Sequence, residues 1–179
     1  MSDEVEDQMV AKTEELVEEK KAPEAVIEAT ELAQIDPLDA IAWFVKGKAH
    51  YVGSQFEEAL SCFSKAAEIE RENPQIWHMM GYALISLNRL PEAEQALEYV
   101  KGTQPGNAEA VCALAICQSM LGKPDEARKN FDIATALNKP VALSMMEHCH
   151  ENFVSSSKDV QSRTKALIER TLETLKLVR

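Results

Sequence analysis

No run of apolar residues in this chain approaches the roughly 18 consecutive positions that a membrane-spanning helix needs. Glycine and proline are scarce, six and seven among 179 residues, so long flexible linkers are not expected. Basic residues are outnumbered, 19 against 30 acids, and the net charge is −11. An acidic chain repels phosphate backbones, which argues against a nucleic-acid role. No glycine-rich phosphate loop and no Cys-x-x-Cys pair occurs. The N-terminal MSDEVEDQ is acidic and lacks the apolar core of a secretory leader. The four cysteines, Cys62, Cys112, Cys117 and Cys149, sit in apolar surroundings. Reduced thiols in a cytoplasmic location are the expectation.

What is present is enough apolar content, 45%, to bury a core without disulfides or metals. It recurs with a period of 34 residues. Glu-Ala stands at Glu24-Ala25, Glu58-Ala59, Glu92-Ala93 and Glu126-Ala127. Trp43, Trp77 and Val111 form a second series, Gly47, Gly81 and Ala115 a third, and Phe63, Leu97 and Phe131 a fourth. Pro37 and Pro105 share one phase. The small residues let two helices approach closely, and the large ones fill the space beside those contacts. Neither helix of a pair buries its apolar stripe alone, so successive pairs must stack.

Each period divides into two helices. Asp39, Asn73 and Asn107 are N-caps in sequence, and Pro74 and Pro91 suit first helical turns. Gly53-Ser54, Asn88 and Gly122 mark the inner turns, and Lys139-Pro140 the end of the third unit. The order of Trp, Gly, Ala, large apolar residue and Pro at this spacing resembles the tetratricopeptide repeat. Units 40–73, 74–107 and 108–141 match it well, 1–39 matches as a degenerate acidic pair, and 142–179 holds a partial repeat helix and one further helix. Lys46, Arg71, Lys139 and Val111 depart from the family pattern. The resemblance implies an all-α, right-handed superhelical solenoid of antiparallel helix pairs. Val160, Thr164, Leu167, Ile168, Leu172, Leu175 and Val178 recur at helical spacing, and this last helix is expected to cap the stack or to pair with a second copy.

In that family the first helix of each pair lines a concave surface that holds a partner. Counting along the units places Phe44, Lys48, Tyr51, His78, Tyr82, Ile85, Cys112, Ile116, Met120, Met146, His150 and Phe153 on this wall. The wall is apolar and soft. Where relatives that bind chaperone C-termini carry a carboxylate clamp, this chain has Phe44 and Lys48, then Glu109 and Ala113. Binding of an acidic peptide terminus is therefore disfavoured, and an apolar or amphipathic segment is the expected occupant.

The expected function is that of a protein-interaction scaffold. The alternatives are a self-associating module, a homodimer built through the last helix or the stack ends, and a chaperone like those of secretion systems. No enzyme activity and no cofactor is expected. His148-Cys149-His150 has the composition of a metal tract, but residues 148 and 150 diverge by some 200° on a helix and do not share an ion.

Overall fold

From the second helix onward, the helices of this protein begin at two repeating phases. A computed structural model describes residues 3–153 together with 166, 169, 170 and 173. It contains α1 (Asp3–Glu18), α2 (Ala22–Ile35), α3 (Ala40–Val52), α4 (Phe56–Ile69), α5 (Pro74–Ser86), α6 (Leu90–Thr103), α7 (Ala108–Met120) and α8 (Pro124–Phe153), and no strand among the described residues. Helices α3, α5 and α7 start at residues 40, 74 and 108, and α2, α4, α6 and α8 at 22, 56, 90 and 124. Both series advance by 34 residues.

Local chemistry sets these starts. The Asp39 carboxylate accepts from the Ile41 and Ala42 amides at 2.8 and 3.2 Å. The Asn73 and Asn107 side chains accept from the Gln75 and Ala110 amides at 3.0 Å each. Each satisfies an amide that the first helical turn leaves without an intrahelical acceptor. Proline stands in the first turn of α2, α5 and α6, where its missing N–H costs nothing.

The inner turns share one device. Lys20, Ser54, Asn88 and Gly122, again 34 apart, have φ of 58°, 59°, 57° and 75°. After three of them the next amide reaches back to close the helix: Lys21 to the Leu16 carbonyl, Gln55 to His50 and Lys123 to Gln118, all at 2.9 Å. This is the Schellman closure, in which one left-handed residue satisfies the last carbonyls.

The pairs end at a second repeated point. Asp36, Glu70 and Gln104 leave the helix with φ/ψ of −127°/96°, −121°/74° and −130°/70°. Asn138, at the same phase, has φ −153° and ψ 90° and interrupts α8. The 30 residues of α8 are thus two helical segments meeting at a repeat boundary. The Asn138 carboxamide accepts from the Val141 amide at 3.3 Å and caps the second segment.

The chain forms two compact units, 1–88 and 89–179. In the first, α1 touches α3 and α3 touches α5, while α2 and α4 each pack between successive members of that row. Its core holds Ala29, Leu32, Val45 and Phe63, with Gly47 against the Phe63 ring. In the second unit α7 packs against α6 and α8. Every residue from Ala110 to Ser119 is buried, so α7 is enclosed on all sides. Its polar member Gln118 is satisfied: Asn130 donates to its oxygen at 2.7 Å, and its amide nitrogen donates to Glu94 and Glu98 at 3.3 Å. Lys123 closes the network on Glu94 at 2.6 Å. Buried polar groups joined in this way fix the relative register of three helices.

The final amphipathic helix expected over 157–179 lies outside the described residues apart from four isolated helical positions. No described helix is long and apolar enough to cross a membrane.

Candidate functional site

In residues 1–88 the candidate wall is the row α1, α3, α5. Phe44, Lys48 and Tyr51 are on α3, and His78, Tyr82 and Ile85 on α5; all six are half-buried. Each aromatic ring is braced. Phe44 lies 5.9 Å from the Phe63 ring, Tyr51 meets Phe56 edge-on at 5.4 Å, and His78 sits 4.6 Å from Tyr82. Braced rings present apolar area with little rotamer freedom left to lose on binding.

Lys48 is the one lysine that counting placed on this wall, which has no arginine. It is engaged by the protein itself, its ammonium 2.8 Å from the Glu14 carboxylate on α1 and 5.7 Å from the Phe44 ring centroid. Glu14 is a wall residue that sequence reasoning missed. The signal was available, because residues 14 and 48 are 34 apart and so occupy the same phase of adjacent first helices. A half-exposed pair of this kind contributes at most about 1 kcal/mol. Its larger effect is on recognition, because it takes the one ammonium away from an incoming carboxylate.

The second unit is different. Cys112, Ile116 and Met146 are buried, packed with Val111, Ala127 and Phe131 where α7 meets α8. They hold α7 against the second segment of α8 and offer no open surface. Met120 is half-buried against the same cluster. His150 and Phe153 belong to the end of α8, and their side chains lie outside the described residues. Among the described residues the accessible part of the candidate wall is therefore the α3 and α5 set, with Met120 in the second unit.

Two buried cysteines of the repeat core are held as thiols. Burial pushes the Cys117 thiol up to about 12, helped by the nearby Glu94 charge. Burial also raises Cys62, against the opposing pull of Lys46 and Lys65. A reactive cysteine needs the opposite shift. Among the described residues no cluster of three or more His, Cys, Asp or Glu is placed to hold a metal.

Tetratricopeptide-repeat family models match residues 20–75 and 53–104. The chain is a tetratricopeptide-repeat protein. The peroxisomal targeting signal receptor of Candida glabrata is 23% identical over 145 residues, which cover 81% of this chain and 25% of the receptor. This chain thus spans about a quarter of that curated relative. Among solved structures, a MamA RS-1 double mutant superposes with a TM-score of 0.73 at 18% identity, covering 99% of this chain and 97% of that one. The first tetratricopeptide domain of Spaghetti (RPAP3), bound to the HSP90 peptide SRMEEVD, gives a TM-score of 0.64 at 22% identity over 68% of this chain and 97% of that one. At these identities the structures establish the shared fold.

Proposed function

We propose that this chain is a protein-interaction module that holds an apolar or amphipathic segment of a partner protein against the row α1, α3, α5. The observation that carries this reading is the set of half-buried, braced side chains Phe44, Tyr51, Tyr82 and Ile85 beside a lysine already neutralised by Glu14. Such a surface gains from burying apolar area, and each anchor contributes roughly 1–3 kcal/mol if fully covered. An acidic terminus of the SRMEEVD kind finds no cationic clamp here. Phe44 and Glu109 occupy clamp positions, Ala113 is buried, and Lys48 is spent on Glu14. The relatives support a role in binding peptides, since one listens to targeting signals by name and another was solved with a peptide bound.

The test is to change Phe44, Tyr51 and Tyr82 together to Ala and compare partner capture with the parent chain. Loss of the captured partners with helical content unchanged is expected. A folded variant that keeps every partner overturns the reading.

Self-association is the second reading. Leu38 and Ile41 at the α2–α3 corner are 78% and 51% exposed. At the same phases later in the chain stand Glu72 and Gln75, then Gly106 and Glu109, and then Pro140 and Leu143, so the first corner is more apolar than the two that follow it. Light scattering decides this point, and a concentration-independent monomer rules it out.

A further inference from the structure

Large apolar side chains left in the open gather at one place. Among the described residues eight large hydrophobics are exposed, and four of them, Ile27, Ile35, Leu38 and Ile41, belong to α2 and the corner that leads into α3. Ile27 is 62% exposed. On α2 the exposed Glu24 and Glu31 share its face with Ile35, and Asp36 and Asp39 bracket Leu38. No lysine or arginine occurs between residues 22 and 45.

The unit that holds this corner is acidic. Residues 1–88 contain eighteen acids and seven bases and so carry the whole net charge of −11, whereas residues 89–179 contain twelve of each. Of the seven bases, Lys12 is paired with Glu28, Lys21 with Glu19 and Lys48 with Glu14. Lys20 precedes α2, and Arg71 stands between Glu70 and Glu72. Lys46 and Lys65 do border the corner: they lie 5.3 and 4.0 Å from the Trp43 ring centroid, and that indole donates to the Pro37 carbonyl. Glu24, Glu31, Asp36 and Asp39, with Glu58 acting beside the two lysines, outnumber them. Two such corners set face to face repel, so the apolar patch is not its own complement.

The last 26 residues have the opposite character. Residues 154–179 contain six bases and three acids. At about 3.6 residues per turn, their sequence puts Val160, Leu167, Ile168, Leu175 and Val178 on one stripe, with Lys165 and Lys176 on one flank of it and Arg163 on the other. Ala166, Glu169, Arg170 and Glu173 are helical and exposed, and all four fall on the side away from that stripe. We propose that residues 157–179 of a second copy dock on the α2–α3 corner, which rests on the self-association reading and names its two surfaces. The apolar stripe of the tail covers Ile27, Ile35, Leu38 and Ile41, and its flanking cations meet the corner's acids. In a stacked repeat each unit touches only its sequence neighbours, so a tail that follows the last unit reaches a first corner by way of another copy. A contact between two different surfaces propagates from molecule to molecule unless its rotation closes a ring.

Two full-length variants and their mixture, followed by sedimentation velocity, test this. Leu38→Lys with Ile41→Lys spoils the corner and leaves the tail intact; both side chains are exposed, so the fold is retained. Leu167→Asp with Leu175→Asp spoils the tail and leaves the corner intact. The parent is expected to gain mass with concentration and each variant to stay monomeric. Their equimolar mixture is expected to form a dimer, because one intact corner meets one intact tail. Lys165→Glu with Lys176→Glu keeps the apolar stripe and weakens the parent's association by about tenfold or more. A parent that associates no better than either double variant of corner or stripe, a mixture that stays monomeric, or full association of the glutamate variant overturns the proposal and leaves self-association standing. A parent that is monomeric up to millimolar concentration overturns both. If the tail substitutions then move amide chemical shifts over residues 24–41, the corner holds the chain's own tail, and a second copy is refuted there.

Discussion

Adding one methyl group at Gly47 tests how closely α3 approaches α4. A Cβ built there lies 2.4 Å from Phe63 Cε1, 2.5 Å from Cδ1 and 3.0 Å from Cζ. Contact between such carbons is comfortable near 3.5–4.0 Å, so the ring must move by about 1 Å. Phe63 is fully buried, and Phe44 leans on it at 5.9 Å, which leaves no open direction for that movement. Overpacking of this kind costs about 1–3 kcal/mol. Alanine is a better helix former than glycine by about 1 kcal/mol, which offsets part of the loss. Gly47→Ala is therefore expected to destabilise the first unit by up to about 2 kcal/mol. Both tryptophans, Trp43 and Trp77, lie in that unit, so denaturant unfolding followed by indole fluorescence reads it directly. Repeating the change in a Phe63→Leu background removes the clash and should leave Gly47→Ala neutral or stabilising. Gly102, with nothing within 4 Å of its Cβ position, is the control and should gain slightly as alanine. Equal losses from Gly47→Ala with and without the Phe63 ring would refute the close-approach explanation.

Arg71→Pro, which restores the residue found at the phase of Pro37 and Pro105, should stabilise the chain by about 0.4–1 kcal/mol, through a less disordered unfolded state, and the denaturation midpoint reads this. Ser54→Gly should add about 0.5–1 kcal/mol, because a serine held at φ 59° is relieved of its left-handed strain by more than glycine loses in entropy. Asn107→Ala removes the cap of α7 and should lose about 1 kcal/mol in the same measurement. Cys117, ordinarily near 9 and raised to about 12 by burial, stays protonated in the fold where the unfolded chain ionises. Stability is therefore full below pH 9 and falls between 9 and 12 by up to about 1.4 kcal/mol per pH unit; Cys117→Ala should remove that part of the slope.

The helix register was legible because its signals are local. Asp39, Asn73 and Asn107 are short acceptors at one phase, and each caps the helix that follows it. The left-handed turns were legible at Asn88 and Gly122, whose types favour that backbone, and Ser54 was placed in its turn by Gly53. Lys20 gave no such sign; its conformation is imposed by the helix closure around it. The wall was legible on α3 and α5, where position in the repeat selects half-buried side chains. The same counting on α7 selected Cys112 and Ile116, which are buried. Phase fixes the direction in which a side chain leaves its helix, but whether another element covers it depends on packing from distant sequence.

The central claim is that a partner lies along α3 and α5. Site-specific photo-crosslinking tests it most directly, with a benzophenone amino acid placed in turn at Tyr51, at Tyr82 and at the exposed Arg128 of α8. One partner crosslinked from both tyrosine positions and not from Arg128 is the predicted result. Crosslinks from Arg128 alone, or equal yields from all three positions, would contradict it.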